Sequence, residues 1–228
     1  SEETGELIMD TNEQRNPISL TLEPELTEAP ALVPAQESAI AQTQPSEPVL
    51  TAEEQKRLVE YLTVDIDNCK FGVILAMYTG LRIGEICALK WGEISIENGV
   101  IHICHTMQRL QKADSDIGNK TEVLISSPKS DSSDRWIPMT DNVRELCTAM
   151  RKGSPEEYVL TGSSMHFMEP RNLQYRFSKY TRDCGISGVT FHTLRHTFAT
   201  RCVEVGFEIK SLSEILGHSD VKITLNRY

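Results

Sequence analysis

Apolar positions recur at helical spacing near both ends of the ordered part of the chain and alternate in between, so the pattern predicts helices, then short strands, then helices again. Thr51-Ala52-Glu53-Glu54 has the form of a capping box, and the helix it opens runs through Leu62. Lys70 to Tyr78 (KFGVILAMY) is almost unbroken apolar sequence, which predicts a helix buried on all sides and stopped by Thr79-Gly80. A short helix starts near Arg82. Between residues 94 and 140 the period changes: Val100–His105, Thr121–Ile125 and Arg135–Pro138 are β-type runs, which predict a small three-stranded antiparallel sheet. Ser126 to Asp134 is expected to be a polar hairpin tip. Helices resume over Asp141–Lys152, opened by Thr140 or Asp141, and over Pro170–Cys184. The next carries His192 and Arg195 and ends at Gly206, Ser211–Leu216 follows and ends at Gly217, and Val221–Tyr228 closes the series behind Ser219 or Asp220. The fold class expected is α+β, mainly helical with the small sheet on one side.

Residues 1–50 do not share this patterning. They are rich in Glu, Pro, Thr and Ser and poor in aromatics, the composition of a linker or tail that cannot offset its own ordering entropy, although Ile18–Leu22 alternates well enough to add to a sheet edge. Of the chain's 33 acids and 23 bases, ten acids and one base, Arg15, fall here, which leaves 23 acids against 22 bases over residues 51–228. The acidity of the chain, pI 5.1, therefore belongs mostly to this segment. The remainder still lacks the positive excess of a self-sufficient duplex binder. Six cysteines without a C-x-x-C pair read as reduced thiols, and with no membrane-length apolar run and no signal peptide the chain reads as intracellular.

Four groups near the end suit a phosphate: His192, Arg195, His218 and Tyr228. His192 and Arg195 stand three apart and are expected on one face of their helix, with Leu194, Phe198, Cys202 and Val205 on the opposite, core-facing stripe. His218 follows a glycine and should sit at a bend, because a straight helix from His218 to Tyr228 separates their backbones by roughly 15 Å. Arg82 stands at a helix start, where free amides favour an anion, and Glu85 is spaced to orient its guanidinium. Pro170–Cys184 carries Arg171, Arg176, Lys179 and Arg182, a basic face able to touch backbone phosphates. His102, Cys104 and His105 invite a metal reading, but strand alternation turns His105 away from the other two and no zinc-like second pair follows, so no metal or cofactor is expected.

His192-Thr193-Leu194-Arg195, Leu216-Gly217-His218 and Tyr228, taken in order with Thr79-Gly80-Leu81-Arg82-Ile83-Gly84-Glu85, resemble the tyrosine recombinase (phage integrase) family over residues 51–228. The resemblance implies a catalytic domain that cuts and rejoins DNA strands at specific recombination sites through a 3′-phosphotyrosine. It assigns the phosphate to Arg82 and Arg195, the nucleophile to Tyr228, the base to His192, a phosphate contact to His218 and the acid for the departing 5′ oxygen to Lys129, with Asp131 and Asp134 near enough to hold that lysine back. A type IB topoisomerase-like relaxing enzyme and a non-cleaving DNA-binding regulator are the alternatives. The resemblance also implies a helical core-binding domain ahead of the catalytic one, a docking segment after the tyrosine, and a homotetramer on double-stranded DNA. Residues 1–50 are too short and polar for the former and the sequence stops at Tyr228, so weak DNA binding and a monomer or loose dimer are expected of this stretch.

Overall fold

The computed structural model describes residues 48–111, 121–127 and 131–228; most of the expected tail, Ile18–Leu22 and Lys129 lie outside them. The first helix, α1 (Ala52–Thr63), starts as its sequence requires. Thr51 N–H donates to Glu54 Oε2 at 2.9 Å and Glu54 N–H to Thr51 Oγ1 at 3.2 Å, so each free amide of the first turn finds a local acceptor. Leu50, placed by composition at the end of the tail, is buried. Its N–H donates to Thr197 Oγ1 and its carbonyl accepts from Arg201, both on a helix of the far C-terminal half.

Helix α2 (Asn68–Thr79) begins at Asp67, whose carboxylate takes the Lys70 amide, and ends on Gly80 at φ +67°. It is buried along nearly its whole length, as its unbroken apolar sequence demands, and packs against α1, the short α3 (Ile83–Ala88), α4 (Asp141–Met150), α5 (Pro170–Asp183) and α6 (Phe191–Glu204). The surrounding helices are amphipathic and turn Leu58, Leu62, Leu146, Leu173 and Phe177 onto it. Trp91, in the 3-10 turn Trp91–Glu93, stacks on Phe71 with ring centroids 5.6 Å apart and fastens the sheet region to this core.

The β region departs from expectation. Instead of one three-stranded sheet there are two: β1 (Ile94–Ser95), β2 (Val100–Ile103) and β5 (Arg135–Pro138) form one antiparallel sheet in the order β1-β2-β5, and β3 (Thr106–Gln111) pairs with β4 (Thr121–Ser126) in the other. Thr106–Gln111 was missed because Gln108, Arg109 and Gln111 mask its alternation. Cys104 and His105 interrupt one long strand into β2 and β3, so β4 and β5 meet different halves of it and not each other. β4 and β5, on either side of the expected hairpin tip, are thus in different sheets and do not pair with each other among the described residues.

Two further helices follow, α7 (Ile209–Leu216), which starts two residues earlier than expected, and α8 (Val221–Leu225), which is three residues shorter than expected. Asp220 caps α8 through a 2.9 Å bond from the Lys222 amide. These two helices sit on α6 through a small separate cluster, Ala199, Leu212 and Leu216 with Phe198, Cys202, Val203 and Tyr228 around them. Val205, assigned to the core stripe of α6, is exposed because Gly206 ends the helix beside it. Among the described residues no helix is long and apolar enough to cross a membrane.

Candidate active site

The site is built where the start of α3, the start of β5 and the α7–α8 corner meet. Arg82 is the N-cap of α3, and its neighbour three residues on, Glu85, turns back: Oε2 accepts the Arg82 amide and Oε1 its Nη1, both at 2.8 Å. The same carboxylate receives a two-pronged contact from Arg135, Nη1 to Oε1 and Nη2 to Oε2 at 3.0 Å each. Burial pushes the Glu85 carboxyl up, but the hydrogen bonds and charge of Arg135 and then the charge of Arg82 outweigh it and hold its pKa below the usual carboxylate range. Glu85 is therefore an anion in the interior, 4 % exposed.

Arg135 was not singled out from the sequence, where it reads only as the first residue of a strand. Its Nε donates to the Ile215 carbonyl at 2.6 Å, which ties β5 to α7. Arg82 reaches the same region from the other side, Nη2 to the Gly217 carbonyl at 3.2 Å. Gly217 ends α7 in the left-handed region at φ +66°, and a Cβ there would stand 3.0 Å from Arg135 Nη1 and from the Ser132 carbonyl, so only glycine lets the arginine lie against this turn.

Arg195 is 2 % exposed, which corrects the expectation that α6 offers it to solvent beside His192. It points inward because α6 is enclosed on both sides, by the main core and by the α7–α8 cluster. Nη1 donates to the Gly80 carbonyl at 2.9 Å and Nη2 to the Leu216 carbonyl at 2.5 Å. Arg82 and Arg195 thus grip the consecutive carbonyls of Gly217 and Leu216, and the two guanidinium groups converge. Arg195 Nη2 also lies 3.1 Å from His218 Nε2. A guanidinium only donates, so Nε2 is the acceptor and Nδ1 carries the proton, donated to Thr224 Oγ1 at 2.8 Å. In this arrangement the N–H of His218 is donated to Thr224.

The expected bend between His218 and Tyr228 is present, and it carries the phenol back onto α6. Tyr228 Oη lies 3.0 Å from Nδ1 of His196, not at His192 as its assignment as base requires. His196 was overlooked although it directly follows Arg195. Its ring also meets that of His192 edge-on, centroids 4.4 Å apart. His192 itself is exposed on the rim of a cleft of about 380 Å³ whose other wall is Arg82, with Thr106, Met107 and Gln174 between them. Arg82 and His192 line the cleft; Arg195, His218 and Tyr228 do not. Gln174 of α5 also accepts the Phe191 amide at 3.1 Å and so helps fix the start of α6.

Charge is the distinctive property of this place. Among the described residues, three guanidinium groups, Arg82, Arg135 and Arg195, share one buried carboxylate, Glu85. Burial, then Arg82 and Arg135, lower the pKa of Arg195 to about 9, where it is still a cation at neutral pH. Burial and the same cations, Arg195 first, lower that of His218 to about 4 and keep it neutral. Positive charge is thus in surplus at a partly dry position, which is favourable only if an anion comes to it.

The phage integrase family model matches residues 48–228, most of the chain. The chain belongs to the phage integrase family. It is 29 % identical over 170 residues to the tyrosine recombinase XerC-like protein of Caldanaerobacter subterraneus, a match covering 68 % of this chain and 44 % of that protein. It is 29 % identical over 199 residues to the transposase from transposon Tn916 of Enterococcus faecalis, covering 79 % and 47 %. Among solved structures it is similar to the Tn1549 transposon integrase in complex with a circular intermediate DNA, with a TM-score of 0.64, 26 % identity, and coverage of 82 % of this chain and 62 % of that one. The chain spans about half the length of the relatives it matches.

The remaining candidates of this phage integrase family member lie apart from the arginine cluster. Arg171, Arg176 and Lys179 are exposed on α5; Arg176 hydrogen-bonds Tyr180 one turn on and stands 3.9 Å from Asp67. Lys129 and the side chain of Asp131 lie outside the described residues. Asp134 contacts His102 Nε2 at 2.8 Å, and His102 stacks on Trp136 with centroids 4.2 Å apart. β2 stops at Ile103, so Cys104 and His105 fall in the break and face Glu93 together, while His102 is on Asp134; this corrects the expectation that His105 turns away from Cys104.

Proposed function

We propose that this chain is the catalytic part of a site-specific DNA recombinase, which cuts a strand with Tyr228 and rejoins it to another. The observation that carries this reading is the surplus of cationic charge around the α7–α8 corner, with two guanidinium groups gripping consecutive carbonyls and a tyrosine folded back beside them. A phosphodiester supplies the missing anion, and planar, permanently charged forks suit its non-bridging oxygens as negative charge grows on them. In this reading residues 51–228 are the catalytic domain and residues 1–50 the acidic segment leading into it.

The reaction balances without metal or nucleotide. The Tyr228 oxygen, losing its proton, bonds to phosphorus; the bond to the 5′ oxygen breaks; Lys129 gives that oxygen a proton; and the 3′-phosphotyrosine keeps the bond energy for a second 5′ hydroxyl to use in reverse. The 3.0 Å contact of the phenol supports giving the base role to His196 in place of His192, with His192 on the cleft rim contacting the phosphate or its neighbour. His218 acts by holding Arg195, and Glu85 by holding Arg82. The exposed cations of α5 suit backbone phosphates beside the cleft. The partner is double-stranded DNA with specific recombination sites, the working assembly of the intact protein a homotetramer, and the setting the cytoplasm of a prokaryotic host, with the nucleoid.

The test is a nicked duplex that traps the covalent intermediate, used with the intact parent polypeptide. A protein–DNA adduct through the 3′ phosphate is expected, absent in Tyr228→Phe and strongly reduced in Arg195→Lys, which keeps the charge but loses the fork. No adduct with any duplex carrying the element's ends, or an adduct that survives Tyr228→Phe, overturns the reading.

A further inference from the structure

A second constellation lies outside the arginine cluster and plays no part in the chemistry above. Glu93 Oε1, Cys104 Sγ and His105 Nδ1 form a closed triangle with edges of 2.8 Å (oxygen to nitrogen), 3.1 Å (oxygen to sulfur) and 3.2 Å (sulfur to nitrogen). One carboxylate oxygen faces both a thiol and an imidazole nitrogen. Each corner is pinned by its backbone. Glu93 leads directly into β1, and its second oxygen accepts the Lys90 amide at 2.9 Å, which turns the first oxygen toward Cys104 and His105. Cys104 and His105 fill the gap between β2 and β3, with Ile103 in register with Arg135 before them and Thr106 with Ser126 after them. Three different ligand types thus converge from two sheet corners that the fold already holds.

We propose that Glu93, Cys104 and His105 are a binding site for a divalent cation of the zinc class. A tetrahedral zinc ion has bonds of about 2.3 Å to sulfur and about 2.0–2.2 Å to nitrogen and oxygen, so its ligand atoms stand roughly 3.3–3.6 Å apart. The triangle reaches that size if each edge opens by about half an ångström, which side-chain torsions supply without moving either strand. A thiolate with an imidazole and a single carboxylate oxygen selects zinc, cobalt or a similar borderline ion over magnesium or calcium, which take oxygen ligands. On binding, the thiol proton leaves to the solvent and the sulfur–metal bond replaces its hydrogen bond to Glu93. His105 is the exposed corner, with 45 % of its side chain accessible, so the fourth position opens to water.

The position of the site gives the ion a consequence. Thr106 and Met107, immediately after His105, line the cleft beside Arg82. A bound ion clips the break between β2 and β3 to the 3-10 turn ahead of β1 and thereby stiffens that wall. The site does not depend on the recombinase reading, and each can fail alone.

The test is titration of the reduced, metal-free 228-residue chain with cobalt(II), followed by displacement with zinc(II). Saturation at one ion per chain is expected, with a thiolate-to-cobalt charge-transfer band and the visible bands of a tetrahedral ion. Cys104→Ser abolishes the charge-transfer band, His105→Ala and Glu93→Gln weaken binding at least tenfold, and Cys202→Ser leaves both unchanged. Zinc raises the melting temperature of the parent chain and of Cys202→Ser but not of Cys104→Ser. Each variant is first checked by circular dichroism, and if one fails to fold, the cobalt spectrum of the parent chain with Cys104 alkylated takes its place. No saturable binding at millimolar metal, binding without a thiolate band, or a band that survives loss of the Cys104 thiol overturns the proposal.

Discussion

Replacing Glu85 by glutamine changes one atom and removes the only carboxylate among the described residues that the three guanidinium groups share. In the parent chain Glu85 accepts four hydrogen bonds, from the Arg82 amide, Arg82 Nη1, and Arg135 Nη1 and Nη2. A glutamine keeps one acceptor oxygen and points an NH2 at donors, so up to two of the four become donor-to-donor contacts. Breaking one side of a buried ion pair costs about 3–5 kcal/mol, because the surviving charge stays uncompensated. Here Arg135, 7 % exposed, is that charge, and Arg82, whose side chain is 37 % exposed, adds less. The loss is a large part of the roughly 5–15 kcal/mol that holds an ordinary domain together, and it lowers the melting temperature by on the order of 10 °C. The assay is chemical and thermal denaturation of Glu85→Gln beside the parent chain, with and without sulfate. Sulfate should recover part of the loss in the variant, since an anion is what the variant lacks. A loss under about 1 kcal/mol would mean that the arginines are balanced by something else, and the account of the charge cluster would be wrong.

Acid should act in two separate windows. His218 has its folded pKa lowered from 6.5 to about 4, so protonation favours the unfolded chain; its share of stability is complete above about pH 6.5 and falls away as pH drops to about 4. Because the ring is only half-buried, that share is about 1–2 kcal/mol after screening, and the denaturation midpoint of His218→Gln should be correspondingly flatter between pH 6.5 and 4. Glu85, held below the usual carboxylate range, contributes only above its lowered pKa, so a second loss should follow below about pH 4.5 and be absent in Glu85→Gln. Thr224→Val removes the buried hydroxyl that takes the His218 Nδ1–H and should cost about 1–3 kcal/mol with circular dichroism unchanged; a neutral result would refute the tautomer derived for His218. Gly80→Ala should destabilise by more than 1–2 kcal/mol, since φ is +67° and the new Cβ would stand 2.6 Å from Phe198 Cδ1, and the shift of the Gly80 carbonyl should weaken anion binding through Arg195.

The sequence by itself determined the helices, most of the strands and the family, and singled out Arg82, Arg195, His218 and Tyr228 as candidates. Periodicity placed the helices to within a few residues because each buries an apolar stripe or, in α2, its whole surface, and the caps at Thr51, Gly80, Gly217 and Asp220 are local chemistry that needs no distant partner. Ordered blocks around Arg82, Arg195, His218 and Tyr228 identified the family because the chemistry restricts residue type as well as spacing. Tertiary structure alone decided which way those side chains face. Arg195 turns inward because α7 and α8 pack on Phe198, Ala199 and Cys202, which lie three, four and seven residues after it on its own face of α6, so Phe198 and Cys202 are not opposite it as expected. Arg135 enters the site because β5 begins beside Glu85, a neighbour 50 residues away. His196 displaces His192 at the phenol because the chain reverses after His218, and the strand that breaks at Cys104 both divides the sheet and gathers the Glu93 trio. Each is a long-range choice among orientations that local spacing leaves equal, settled by which arrangement lets buried charge find its partner.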